Sequence, residues 1–104
     1  MMKVCVATLR PEKIDDYEAL HRDLDAGRHS DIARAGYRLL DIYRHGRTLV
    51  MLIDHDPAAA TPGHVLDPAI EARWHAATGA CFAQAWEDAR PVFSLGAAGP
   101  AATC

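Results

Sequence analysis

Apolar and polar positions recur with two different periods along the chain, and the places where the period changes divide it into elements. Residues 3–9, KVCVATL, are apolar and partly β-branched and predict a strand. Pro11 then stands where a first helical position belongs, with Glu12, Asp15 and Asp16 in the positive first turn of the helix it opens. Ile14, Tyr17, Leu20, Leu24 and Ile32 keep helical spacing as far as Gly36, a C′ residue, which predicts a helix starting near 11, with Gly27 weakening its middle and open to being a break. Residues 37–56, YRLLDIYRHGRTLVMLIDHD, are two apolar runs about His45-Gly46 and predict a β-hairpin. A Pro-, Ala- and Gly-rich connection follows over 56–68, and then 70–89, IEARWHAATGACFAQAWEDA, is helical in composition with Gly79 as an interruption. PVFSL, 91–95, predicts a last short strand.

The resulting order, β-α-β-β-α-β, is the split βαβ of ferredoxin-like α+β domains. It carries a consequence for assembly. Leu39, Asp41 and Tyr43 alternate with Leu40 and Ile42, and Leu49, Met51 and Ile53 alternate with Val50 and Leu52, so both sheet faces are apolar. Two helices cover one face, and a second copy of the chain is the expected cover for the other, making a homodimer.

With 104 residues the chain is one domain over 1–95, and the small-residue stretch GAAGPAATC, 96–104, is expected to be a flexible tail. A formal charge of −3 leaves no basic face for a nucleic-acid backbone. The opening apolar run is too short for a membrane span or a signal segment, so the expectation is a cytoplasmic protein with neither nucleic acid nor membrane as a partner. Cys5, Cys81 and Cys104 show no paired spacing and suggest neither a disulfide framework nor a zinc site. The Asp54-His55-Asp56 run resembles a metal box, but on a strand its carboxylates face away from its imidazole, and it reads as a solvated strand end.

The candidate chemistry lies in YEALHRDL, 17–24. Tyr17 and His21 stand one above the other on the helical face that Ile14 and Leu24 mark for burial. A histidine there is either a hydrogen-bonded core residue or an acid/base group in a pocket beneath the helix. Asp41, between Leu39 and Tyr43, needs solvent, a cationic partner or a ligand, because an unpaired carboxylate is costly to bury.

Several stretches taken in order resemble one family. They are Y17-x-x-x-H21, the helix end A35-G36, the hairpin D41-I-Y-R-H-G-R-T-L-V-M51, the pair R73-W74, and V92-F93-S-L95. Together they resemble the L-rhamnose mutarotases and their relatives beside L-fucose catabolism, which are dimeric α/β-barrel proteins. The resemblance implies that His21 is catalytic and that Tyr17, Asp41, Trp74 and His75 bind substrate, with no metal or cofactor. The alignment can also be slid so that Trp86 with Glu87 takes the place of Trp74 with His75. Where the family usually has Trp-Pro-Glu after the histidine, this chain has Asp25-Ala26-Gly27.

Mutarotation fits these residue types. It interconverts α and β anomers of a monosaccharide through the open-chain aldehyde, which requires one proton taken from the anomeric hydroxyl and one given to the ring oxygen. Histidine is suited to both transfers near neutral pH. An indole suits the apolar face of a 6-deoxy-L-sugar such as L-rhamnose or L-fucose. Two alternatives remain at this point: a small cofactor-independent monooxygenase of the same dimeric α/β-barrel build, and a non-catalytic ligand-binding dimer in which Tyr17 and His21 only pack.

Overall fold

The computed structural model describes residues 2–24 and 26–95. The tail expected over 96–104, with Cys104, therefore lies outside the described residues. Strand β1 runs Met2–Leu9, helix α1 Ile14–Arg22, helix α2 Ala26–Arg34, strand β2 Tyr37–His45, strand β3 Thr48–His55, helix α3 Pro68–Gly79 and strand β4 Phe82–Asp88, with single 3-10 turns at Pro11–Lys13 and Pro57–Ala59. The strands are all antiparallel in the order β2-β3-β1-β4.

This arrangement corrects the expected fold class. The protein is an α+β fold with an open four-stranded sheet and not an α/β barrel, because β2 and β4 are the two edges and do not pair with each other. Element order alone says nothing about closure, which depends on whether the edges meet.

Three boundaries also differ from the sequence reading. The helix expected over 11–36 is two, α1 ending with the backbone N–H of Asp23 on the Ala19 carbonyl and α2 carrying Gly27 in its first turn. The helix expected over 70–89 stops at Gly79, and 82–88 is a strand. Alanine favours helix at 83 and 85, but the free edge of β1 needs a partner, and Phe82 and Trp86 fit a half-buried strand. The strand expected over 91–95 is absent. Pro91 lacks an N–H for a ladder, and the last link to β1 is the Ala89 N–H on the Val4 carbonyl at 2.8 Å.

Two glycines hold the turns around β2. Gly46 opens the two-residue hairpin loop at φ 61°, and Arg47 fixes the hairpin tip to the end of β1 through its Nε on the Leu9 carbonyl, 2.9 Å. Gly36, at φ 97°, joins α2 to β2 where a Cβ would lie 2.5 Å from the Asp56 carbonyl oxygen.

The helices cover one face of the sheet. Cys5, Ala7 and Leu9 of β1 are buried beneath them, whereas Val4, Val6 and Thr8 are half-buried on the other face. Leu9 and Leu49 are fully enclosed and form the main core with Ala7, Tyr17 and Cys81. Along β2 and β3 the same face continues through Ile42 and Met51 to Leu40 and Ile53, which are not enclosed. A register shift between Tyr37 and Leu39 returns Tyr37 to that face, opposite His55. The helix-free face presents Val4, Val6, Leu39, Tyr43, Val50 and Leu52 together with Asp41.

Candidate active site

The unfilled half of the helix-covered face is a cavity of about 530 Å³. Its volume is that of a small-molecule site, and it shares Tyr17, His21, Leu24 and Tyr37 with a neighbouring cleft of about 690 Å³ between α1, α2 and β2. The α1 side is built by helical spacing. Residue 21 follows residue 17 by one turn, so the two rings lie 4.5 Å apart, tilted by 39°. Nδ1 of His21 donates to the Tyr17 carbonyl at 2.9 Å. A carbonyl can only accept, so Nδ1 carries a proton and the lone pair of the neutral ring is on Nε2, on the far side of the imidazole.

The facing wall comes from α3. Asp67 caps this helix by accepting from the N–H groups of Ala69, at 2.9 Å, and Ile70, with Pro68 in the first turn. From that start Glu71, Trp74, His75 and Thr78 fall on one stripe, and all four line the cavity. The Trp74 ring meets His21 edge to face at 5.0 Å and 77°. Thr78 donates its hydroxyl to the Trp74 carbonyl at 3.0 Å, one turn back. The floor is the sheet itself, with Ile42 and Met51 in the middle and Phe82 and Trp86 from β4 at one side. Phe82 is 5.6 Å from Tyr17 and 5.7 Å from Trp86.

Tyr17 belongs both to the core and to the cavity. Its residue is 4 % exposed, and burial pushes its phenol far above the usual tyrosine range. The hydroxyl therefore stays protonated and can donate a hydrogen bond into the cavity but cannot serve as a base.

Of the residues singled out in the sequence, Tyr17, His21, Trp74 and His75 come together. Asp41 does not. It alternates with Leu40 and Ile42 on β2, pairs with Leu52, and is exposed on the helix-free face, outside both cavities. The alternative between Trp74 and Trp86 resolves into both: Trp74 touches the imidazole, and Trp86 lines the same cavity behind Phe82. His55 of the Asp54-His55-Asp56 run bonds the Ala35 carbonyl at 2.9 Å while Asp56 caps the following turn, and among the described residues no group of three or more His, Cys, Asp or Glu side chains could hold a metal ion.

Two charged residues of the site were missed. Arg28, on α2, and Glu71 are ion-paired at one end of the cavity, and His75 Nε2 lies 3.2 Å from the second carboxylate oxygen of Glu71. For Glu71 a signal existed, since it is three and four residues before Trp74 and His75. Arg28 had none, because it reaches the cavity across a break between two helices.

The fold and the cavity define a small α+β protein with a preformed site for a small molecule, bounded by an oriented imidazole and two indoles. The chain belongs to the L-rhamnose mutarotase family, whose sequence model matches residues 3–95. It is an isomerase that interconverts the anomers of a sugar. The crystal structure of an L-rhamnose mutarotase from Formosa agariphila is similar, with a TM-score of 0.69 over 92% of this chain and 99% of that one at 12% identity. A putative antibiotic biosynthesis monooxygenase from Bordetella bronchiseptica shares the fold more loosely, with a TM-score of 0.58 over 88% of this chain and 96% of that one at 15% identity. None of the curated proteins compared with the chain matches it.

Proposed function

We propose that the protein equilibrates the α and β anomers of a 6-deoxy-L-sugar, L-rhamnose or L-fucose, with His21 as the proton-transfer residue and Tyr17, Trp74 and His75 as substrate contacts. The observation that carries this is the imidazole held between Tyr17 and Trp74 with its Nδ1 proton engaged by backbone. Nε2 takes the proton of the anomeric hydroxyl. The imidazolium so formed returns that proton to the ring oxygen as the C1–O bond to it breaks, which leaves the open-chain aldehyde and the neutral imidazole. Rotation about the C1–C2 bond and the reverse steps close the ring on the other face, so protons balance over the cycle. The Tyr17 hydroxyl or a water supplies the hydrogen bond to the ring oxygen. The Trp74 face and the apolar floor suit the C–H-rich side of the sugar and its methyl group.

The experiment is one-dimensional saturation-transfer NMR on free L-rhamnose and L-fucose. Catalytic amounts of the protein should accelerate exchange between the anomeric resonances of one of them. An exchange rate equal to that in buffer for both overturns the assignment.

The protein is further assigned as a cytoplasmic homodimer. The apolar helix-free face, and Val92, Phe93 and Leu95 at 97%, 79% and 71% exposure, support a second copy as the missing cover. Leu52 lies on that face and Met51 on the cavity side, so Leu52→Asp should dissociate the dimer in sedimentation and Met51→Asp should not. The buried thiols of Cys5 and Cys81 are unpaired, as suits a reducing compartment, and among the described residues no helix is long and apolar enough to cross a membrane.

A further inference from the structure

We propose that Arg28 and Glu71 are the specificity-determining pair of the site and that they read two neighbouring hydroxyls of a neutral sugar. The inference rests on the mutarotase reading of the same cavity and adds which end of it recognises the substrate.

The cavity is chemically lopsided. Its floor and β4 side are Ile42, Met51, Ile53, Phe82 and Trp86, without a charge. Its opposite end holds Arg28 and Glu71, whose side chains are only 11% and 22% exposed. Charged groups so enclosed are stable only with partners, and here each partner belongs to a chain of contacts. Arg28 lies 3.8 Å from Asp31 and pairs with Glu71, Asp31 takes His64 at 2.8 Å, and the other Glu71 oxygen takes His75. Two carboxylates beside one guanidinium leave no positive excess. An anionic sugar, phosphorylated or oxidised to an acid, would meet no attraction at this end, whereas a neutral polyol would.

An ion pair facing a cavity offers acceptor and donor side by side. A carboxylate oxygen keeps lone pairs after one hydrogen bond, and guanidinium donors form a fixed planar fork. Adjacent sugar hydroxyls, each both donor and acceptor, match that juxtaposition. The position relative to the reacting group also fits. His21 and the Arg28 guanidinium carbon are 5.0 and 5.8 Å from the centroid of the same Trp74 ring. A pyranose beside that indole is within reach of both His21 and the pair, with the methyl group left for the uncharged floor.

The test uses the full-length protein, L-rhamnose, and its 2-, 3- and 4-deoxy analogues, with affinity read from the fluorescence of Trp74 and Trp86. Loss of a hydroxyl bonded to a charged group should weaken binding by about tenfold or more, so two adjacent deoxy analogues should bind that much worse than the parent. Glu71→Gln should weaken the parent sugar by a similar factor and leave at least one of those two analogues unchanged, since the bond it removes is already missing there. An equal effect of Glu71→Gln on every sugar would mean that the pair only ties α2 to α3 and would overturn the inference. If that variant fails to fold, the native protein decides alone: three analogues binding like L-rhamnose, or no sugar binding at all, also overturn it. Failure of the anomer-exchange assay with the hydroxyl pattern intact would instead remove the catalytic reading and keep the binding one.

Discussion

The two ends of the helix-covered face are made of the same kinds of residue and have opposite fates. Around Leu9 the strands, α1 and Cys81 pack closely, and Leu9 and Leu49 are both fully enclosed. Around Met51 and Ile53 the side chains are as apolar, yet they line a cavity. The difference lies overhead. Tyr17 closes the first region from α1, while the second is bounded across the sheet by Trp74 from α3. The apolar pattern is alike at both ends, and the placing of the covering helices decides whether the space beneath them is filled.

Substitutions should separate the two ends, and the largest effect belongs to the group between them. His21→Asn keeps a hydrogen-bonding amide in place of the ring and should slow anomer exchange by ~10²–10⁴ with the urea midpoint little changed. An undiminished exchange rate would make the open end merely a packing defect. Leu9→Ala, at the filled end, should cost ~2–5 kcal/mol in urea unfolding and leave the exchange rate per folded molecule unchanged. Met51→Ala should cost under ~2 kcal/mol, because its side chain already borders empty space, while weakening sugar binding. Equal stability losses for Leu9→Ala and Met51→Ala would erase the distinction.

The smallest effect is a pH dependence set by the buried thiols and the buried phenol. Burial raises the Cys5, Cys81 and Tyr17 values, so the folded state holds these protons more tightly than the unfolded state does. Their stabilisation is fully present below the unfolded values, about 8.5 for a thiol and about 10 for a phenol, and is lost as pH rises through the folded ones. The melting temperature should thus fall with alkaline pH. Tyr17→Phe should remove the part of the fall that sets in above about pH 10.

How much of this was legible in the residues depended on the range over which the information acts. Tyr17 over His21 is a spacing within one helix, and the hairpin about Gly46 is a turn between adjacent runs; both could be read directly. β4 could not, since its alanines favour helix and only the bare edge of β1 makes it a strand. The two faces of β2 were visible as alternation, with Asp41 on the side of Leu39 and Tyr43, but since these are as apolar as Leu40 and Ile42, nothing local told which set the helices would choose or that Asp41 would lie away from the cavity. Arg28 required knowing how α2 lies against α3. Neither helix encodes that alone.

The hydrogen bond from His21 to the Tyr17 carbonyl separates two jobs that many sites entangle. The tautomer of the imidazole is decided inside a single turn of α1, by backbone, and does not depend on the residues that would grip the sugar from α2, α3 and β4. On the proposed reading, substitutions in those walls, at positions such as 28, 71 or 75, change which sugar enters and leave the tautomer of His21 as it is.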